Sequence, residues 1–386
     1  MNTRESETSP RARVAFFGSD CDIVIGQRNC ADSEEVLVKL NDSIDASQND
    51  FTQTAIYRQL KPLFACMKMF GLYFVRVKPS RGKSYTEPTA LFCFIVNTMA
   101  ILNVVRSFTV FRLSDKFDNI MFQRLLFSIW STECALKGSL MIWNCLKTNG
   151  LPNFFNQWSR VCEDARISKV CLFMMKKYII LSFLFIFVNS VVFTVSLTHV
   201  PILRYVYLEV VWRNASQFDD VILFVFKSVL TFLAILNSSS SIFPVSLFVI
   251  LSFAVGKRLK KFSDNLRRAS YQDDFHENIE EFRIQHEKLR GLVKNLDEIF
   301  SPLLAAVYFA NIPMFCLVLY TLLSSLHSHL CIVLINLFWL SFILLQLTIV
   351  SVTASWIKEM VCCKYLLELQ VLSIQKIGNI SVNNTC

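Results

Sequence analysis

The stretch EFRIQHEKLRGLVKNLDEIFSPLLAAVYFANIPMFCLVLYTLL, residues 281–323, joins two chemically opposite halves with no turn signal between them. Its first half is rich in charged residues, whereas residues 300–323 contain none. Apolar residues recur through the first half at helical spacing, which predicts a helix with one buried face and one solvated face. These positions are Phe282, Leu289, Leu292, Val293, Leu296, Ile299 and Phe300. The second half is long enough to cross a bilayer. The stretch therefore predicts one continuous helix that passes from water into a membrane.

The composition of the whole chain is typical of a polytopic membrane protein. Of its 386 residues, 53% are hydrophobic and 35 are Phe, above the apolar content of about 45–50% in soluble domains. A net charge of +9 is also found in nucleic-acid-binding proteins. Here the basic residues are concentrated in particular loops, as membrane orientation requires, so no nucleic-acid partner is predicted. Many of the 13 cysteines lie within or beside apolar runs, where a free thiol behaves as a small hydrophobe. No metal or other cofactor is predicted.

Apolar windows of about 20 residues predict an all-α fold with six transmembrane helices. The predicted spans are residues 90–110, 122–146, 178–200, 221–253, 300–323 and 331–355, within a transmembrane domain over residues 88–356. A disordered N-terminal region (1–50) and an amphipathic segment (51–87) precede this domain, and an atypical tail (357–386) follows it. The second span is the weakest of the six because Glu133 and Lys137 lie inside it.

Lys and Arg residues near the ends of the spans predict the orientation of the chain. Seven lie in residues 58–83, before the first span, and ten lie in residues 257–294, between the fourth and fifth spans. The alternate loops carry few. This asymmetry places the N-terminus in the cytosol and, after six spans, the C-terminus as well. Residues 151–165 and 256–299 are then cytosolic helices, whose apolar faces must pack either on each other, as a bundle within one chain, or on another subunit as an oligomerisation domain.

Three segments of the chain resemble the arthropod gustatory receptors, a family of seven-transmembrane chemoreceptors. LKPLFACMKMFGLYFV (60–75) resembles the segment that precedes the first span of that family. HEKLRGLVKNLDEIFSPLLAAVYFANIPMFCLVLYTLL (286–323) resembles its penultimate conserved block. FWLSFILLQLTIVSVTASWIKE (338–359) resembles its sixth span and the exit from it. Within the family, the block around Asn311 resembles the sugar-sensing branch more than the other branches.

The resemblance implies a ligand-gated, non-selective cation channel in the plasma membrane of gustatory receptor neurons. It implies three kinds of partner: a small soluble tastant such as a sugar, membrane lipid, and other gustatory receptor subunits in a homo- or hetero-tetramer. In the family, long cytosolic helices from neighbouring spans form a central anchor that holds four subunits together. That arrangement agrees with the extended helices indicated by the charge pattern.

The C-terminal region departs from the family pattern. The family has a seventh span that lines the pore and ends in a Thr-Tyr…Gln-Phe signature. Here MVCCKYLLELQVLSIQKIGNISVNNTC (360–386) has a short apolar run interrupted by Lys364, Glu368 and Lys376. We therefore expect the seventh span to be missing, which leaves a truncated, non-conducting receptor isoform as an alternative.

A secondary transporter is the alternative from another class of protein. Transporters of this kind commonly have internal repeats and helices broken by Gly or Pro. This chain has only nine glycines and no visible repeat between its halves, which disfavours that interpretation. No nucleotide-binding, hydrolase or metalloprotease motif is present, so the chain is not predicted to be an enzyme.

Polar and aromatic residues in the predicted outer halves of the spans are the candidate ligand-binding residues. Pockets between helices are mostly aromatic with a few convergent polar groups, and a sugar needs stacking rings together with amide or carboxylate partners. The candidates are Trp130, Glu133, Lys227, Asn237, Asn311, Tyr320, Asn336 and Trp339. For each of them, hydrogen bonding between helices or anchoring at the membrane interface is the alternative role.

Two charged candidates have specific alternatives. Glu133 and Lys137 are spaced i, i+4 in the favourable order, so they can neutralise each other on one helix face. Lys227 can extend its ammonium group to the lipid headgroups.

Two predicted outer loops carry further motifs. Asn214 begins the sequon Asn-Ala-Ser and is a predicted glycosylation site. His327 and His329 lie close together, but no Cys or carboxylate near them in sequence completes a ligand set, so no metal site is predicted there.

Overall fold

The computed structural model describes residues 52, 54–75, 88–109, 119–147, 149–161, 167–199, 220–271, 275–324 and 330–383. Several predictions concern residues outside these ranges. They are the disordered region at residues 1–50, the sequon at Asn214, and the pair His327 and His329.

The described part of the chain consists of α-helices joined by short turns and contains no strand, which confirms the predicted fold class. The helices are α1 (Ala55–Met69), α2 (Pro88–Thr109), α3 (Asn119–Leu146), α4 (Leu151–Val161), α5 (Lys169–His199), α6 (Asp220–Ala269), α7 (Phe275–Ser324) and α8 (Leu330–Asn383).

Five of these helices contain a stretch that is long and apolar enough to cross a membrane: α2, α5, α6, α7 and α8. The second predicted span, α3, is not among the five, since Glu133, Lys137 and several hydroxyl side chains lower its apolarity. Its 28 residues nevertheless extend over about 42 Å at 1.5 Å per residue, and it packs against α2, α6 and α7. That α3 crosses the membrane stays a prediction, as does the orientation of the chain.

The stretch 281–323 lies within one unbroken helix, α7, of 50 residues. Five of the seven apolar positions predicted from spacing are buried, with Leu289, Leu292 and Leu296 at most 5% exposed, whereas Phe282 and Val293 are partly exposed. The buried positions are covered by α4 and by the second half of α6, where the Phe262 ring lies 6.0 Å from that of Phe282. Both α6 and α7 continue beyond their apolar stretches. The apolar faces of the two continuations pack against each other.

The central helix of the bundle is α6. In its most apolar window 89% of the residues are buried, against 17% in the corresponding window of α8. The four consecutive serines at residues 238–241 are buried in its middle. Helices α2, α5 and α8 instead present many exposed Leu, Ile, Val and Phe side chains to the outside. Such faces are compatible with contact to lipid tails.

A tight turn after α1 requires glycine. Gly71 has a φ of 69°, and a Cβ built on it would lie 2.8 Å from Cβ of Val96 on α2. Only glycine adopts this left-handed backbone conformation at little cost. A larger residue would also collide with α2, which approaches closely here. Gly71 belongs to the segment 60–75 on which the family resemblance rests in part.

Aromatic rings join α1 to α4. The Phe64 ring is stacked on Tyr73, with ring centroids 4.3 Å apart, and lies edge-on to Phe155 at 5.7 Å. Phe154 extends this contact to Trp158 at 6.2 Å. We call the group the α1–α4 aromatic cluster; its members are Tyr57, Phe64, Tyr73, Phe154, Phe155 and Trp158.

The C-terminal residues continue α8 rather than forming a separate element. The helix runs without interruption from Leu330 to Asn383, over 54 residues, so it passes through the predicted boundary at residue 357. No further helix follows it within the described ranges. The expectation that a seventh span is missing stays a prediction.

Candidate functional site

A cavity lies between α3, α5, α7 and α8, and we call it cavity A. It comprises about 590 Å³ of empty space, including its open mouth. Its wall combines aliphatic side chains with aromatic, amide and hydroxyl ones, the latter including Gln123, Phe127, Trp130, Ser196, Asn336 and Trp339. Three of the eight candidates predicted from sequence, Trp130, Asn336 and Trp339, therefore meet here although they come from two distant helices.

The aromatic wall of cavity A is formed by α3 and α8. The rings of Trp130 and Trp339 lie 5.3 Å apart at an interplanar angle of 78°, an edge-to-face arrangement that aromatic pairs favour. Phe127, one turn before Trp130, lies 5.9 Å from it. Trp130 is only 4% exposed and also packs in a hydrophobic cluster with Phe193 and Met314. The two tryptophans thus pack against the hydrophobic cluster on one side and border the open space of cavity A on the other.

Besides the two tryptophans, the lining of cavity A contains three polar side chains: Gln123, Ser196 and Asn336. Ser196 donates to the carbonyl of Val192 on its own helix at 2.6 Å, so its hydroxyl oxygen retains acceptor capacity. The two amides each supply donors and acceptors. Rings next to amides are the combination that a polyhydroxylated small molecule requires.

A buried polar network lies beside cavity A, formed by Glu133, Lys137, Ser241 and Asn311, each at most 2% exposed. Glu133 forms an ion pair with Lys137 and accepts a hydrogen bond from Asn311 Nδ2 at 3.0 Å. Lys137 Nζ donates to the carbonyl and the hydroxyl of Ser241, each at 3.4 Å. The network therefore connects α3, α6 and α7 through charged groups that neutralise one another.

Glu133 lies three residues after Trp130 on α3, about one helical turn from the wall of cavity A. Neither Glu133 nor Asn311 lines the cavity. Their contacts instead join α3 to α7 behind the cavity. This is the structural role that the i, i+4 spacing of Glu133 and Lys137 indicated as the alternative to ligand binding.

The remaining three candidates also lie outside the lining of cavity A. Asn237 is 2% exposed within α6. Tyr320 is 48% exposed, with its ring 4.5 Å from Phe122. Lys227 is partly exposed near the start of α6.

Gln123, Phe127 and Ser196 line cavity A but were not among the residues predicted from the sequence. On α3, Gln123, Phe127 and Trp130 follow the i, i+4, i+7 spacing of one helix face, so a signal was present for two of them. It could not show which face of α3 is turned toward α8.

A second cavity lies between α5, α6 and α8, and we call it cavity B. It comprises about 580 Å³ of empty space, also including its mouth. Its walls include Ser182, Phe185, Ser241, Val245, Phe342 and Gln346. No residue lines both cavities. Within the described ranges, no group of three or more His, Cys, Asp or Glu side chains is placed to hold a metal ion.

Comparison with known proteins gives a family match and a fold match. The family model described as 7tm Chemosensory receptor matches residues 60–376. No curated protein matches the chain.

Among solved structures, the chain is similar to that of the insect olfactory receptor OR5 from Machilis hrabei. The TM-score is 0.60 at 14% sequence identity, over 81% of this chain and 82% of that chain. It is also similar to the structure of the same receptor in complex with eugenol, with a TM-score of 0.53 at 12% identity over 79% of this chain and 80% of that chain. At these identities the similarity concerns the fold alone.

Proposed function

The chain belongs to the 7tm chemosensory receptor family, and we propose that within this family it is a gustatory receptor. It acts as a subunit of a ligand-gated, non-selective cation channel, and its ligand is a small soluble tastant that binds in cavity A. The observation that carries this proposal is the pair Trp130 and Trp339 at the wall of an open cavity, next to the buried amide of Asn336.

Sugars are the ligand class that the lining of cavity A supports best. The C–H faces of a sugar ring pack on tryptophan, while its hydroxyl groups require several donors and acceptors at fixed positions. Gln123, Asn336 and Ser196 supply those groups. A bitter compound with aromatic rings would use Trp130 and Trp339 and fewer of the polar groups, which makes it the second class to test. The similar receptor from Machilis hrabei has been seen in complex with eugenol.

Assembly into a homo- or hetero-tetramer with other gustatory receptor subunits belongs to the same proposal. The second half of α6 and the first half of α7 extend beyond the apolar stretches as a packed pair. Charged side chains such as Arg283 and Glu280 remain exposed on that pair. This polar extension is the part of the subunit that would meet its neighbours, in the plasma membrane of a gustatory neuron with the extension in the cytosol.

Whole-cell recording tests the proposal directly. Two forms are expressed: the chain as given, and the chain with a seventh span from the family joined after α8. Each is exposed to a panel of sugars and bitter compounds, with surface expression verified. We expect a saturable, sugar-evoked cation current from the form with the added span. A current from the chain as given would show that residues 1–386 already contain what conduction needs. If both forms reach the surface and neither conducts with any ligand, the channel proposal is wrong.

A further inference from the structure

Cavity B is lined mostly by apolar side chains and by one buried amide that has no hydrogen-bond partner among the described residues. Phe185 and Phe342 line it, stacked with ring centroids 4.0 Å apart, and Val245 and Val249 form another part of its wall. Near these residues lies the side chain of Gln346. The chamber therefore fits a molecule that is mostly hydrocarbon.

Gln346 is 5% exposed. Neither its Nε2 nor its Oε1 has a hydrogen-bond partner within the described part of the chain. An amide that is buried without a partner destabilises a protein, more so where lipid replaces water around the helices. A hydroxyl group can accept from Nε2 and donate to Oε1 at the same time. The amide is therefore suited to hold the polar end of a ligand.

The three serines that line cavity B already have partners. Ser182 donates to the carbonyl of Tyr178 at 2.7 Å, and its hydroxyl lies 3.4 Å from that of Ser246. Ser241 accepts from Lys137. Among the buried polar side chains that line this chamber, Gln346 is thus the one with no hydrogen-bond partner in the described part of the chain.

The mouth of cavity B opens toward an apolar surface. Leu181 on α5 and Leu345 on α8 are among its lining residues, and they are 50% and 51% exposed. Both belong to helices that are apolar enough to cross a membrane. A ligand that enters between them comes from the hydrocarbon phase rather than from water.

We propose that cavity B is a second binding site, separate from cavity A, for a membrane-partitioned molecule that has an apolar body and one hydroxyl group held by Gln346. The two cavities are displaced along α5, since Phe185 and Val192 are two turns, about 10 Å, apart. Ser241 lines cavity B and also belongs to the buried polar network. Cavity B therefore contacts the network through Ser241.

Photolabelling of the full chain in lipid nanodiscs tests this site without any need for current, so its outcome is independent of the proposed channel function. The probes are a long-chain alcohol that carries a diazirine and the matched diazirine hydrocarbon without the hydroxyl. We expect the alcohol to label peptides of α5, α6 and α8 around cavity B about tenfold more strongly than the hydrocarbon, as one well-formed hydrogen bond allows. Mass spectrometry of the labelled peptides locates the site.

The variant Gln346→Leu keeps the apolar volume and removes the amide. We expect it to fold at least as well as the wild type, measured by its unfolding temperature without ligand, and to label equally with both probes. Gln123→Leu is the matched control, because it removes an amide from cavity A and should leave the preference at cavity B unchanged.

Three results would overturn the proposal. Equal labelling by both probes in the wild type would assign cavity B to lipid tails. A hydroxyl preference that survives in Gln346→Leu would exclude the amide as the anchor. Selective labelling confined to peptides outside cavity B would place the site elsewhere.

Discussion

The α1–α4 aromatic cluster and the wall of cavity A are built from the same kinds of side chain but are packed to different degrees. In the cluster, Trp158 is 1% exposed and Phe154 and Phe155 are fully buried, with rings in contact on several sides. At cavity A, Trp130 and Trp339 meet edge to face, and the space beside them stays open.

The difference follows from the helices that carry the rings. The short helix α4 is strongly amphipathic and covers its aromatic face with α1 and α7, so every ring contributes to packing. Cavity A is bordered by four helices whose side chains leave a gap between them. An aromatic residue can therefore serve packing or binding according to whether its neighbours fill the space around it. The comparison predicts that stability and ligand response can be changed separately.

The largest expected effect on stability is that of Trp158→Ala. Truncation of a fully buried tryptophan should lower the free energy of unfolding by about 3–5 kcal/mol. Trp130→Ala should cost less, because its ring already borders empty space. Unfolding of both purified variants, followed by intrinsic fluorescence in nanodiscs, measures the two losses. Equal losses would mean that cavity A is packed as tightly as the cluster, which would break the comparison.

Lys137→Met should also destabilise the fold, by about 3 kcal/mol, because it leaves Glu133 buried without its counter-ion. The effect should lie at the lower end of the range for broken buried pairs, since Asn311 still donates to Glu133. The double variant Glu133→Gln, Lys137→Met removes both charges and should recover most of the loss. The unfolding temperature and the monodisperse yield report the result. If the double variant is less stable than Lys137→Met alone, the ion pair is not the reason for the loss.

Trp339→Ala should weaken the response to the tastant about tenfold, or about 1.4 kcal/mol, with a smaller effect on stability than Trp158→Ala. The loss reflects the missing ring face at the wall of cavity A. Dose–response curves for the evoked current measure it. Tyr320→Ala is the matched control, because Tyr320 is exposed and does not line the cavity. A shift of the same size in Tyr320→Ala would move the ligand away from cavity A.

The smallest predicted change in response is that of Asn336→Leu, about three- to tenfold for a sugar, as expected for one hydrogen bond. A bitter ligand that depends on the rings should be affected less. Lys227→Met is the control for a polar candidate outside the cavity and should leave both responses unchanged. A large loss in Lys227→Met together with an unchanged Asn336→Leu would reverse the assignment of these two residues.

Helix period and apolar length could be recognised from the sequence because both are local properties. The apolar positions in the charged half of α7 were predicted from their spacing, and the structure buries Leu289, Leu292 and Leu296. There, water on one side and protein on the other impose an amphipathic pattern. The i, i+4 spacing of Glu133 and Lys137 likewise predicted the ion pair that forms on α3. The family resemblance rests on similar local patterns, and the match over residues 60–376 confirms the chemosensory receptor family.

The tertiary structure alone decided which candidate residues meet. The sequence predicted eight candidate ligand-binding residues and did not rank them. Packing brings Trp130, Asn336 and Trp339 to one cavity. It places Glu133 and Asn311 in a hydrogen-bonded network behind that cavity. It also buries Gln346, which no sequence signal had marked. The physical reason is that lipid tails and a protein interior are both apolar. A membrane helix can therefore be hydrophobic on all sides, and its sequence does not specify which face is turned toward its neighbours. Only the packing of the helices fixes that rotation, and with it the composition of each cavity.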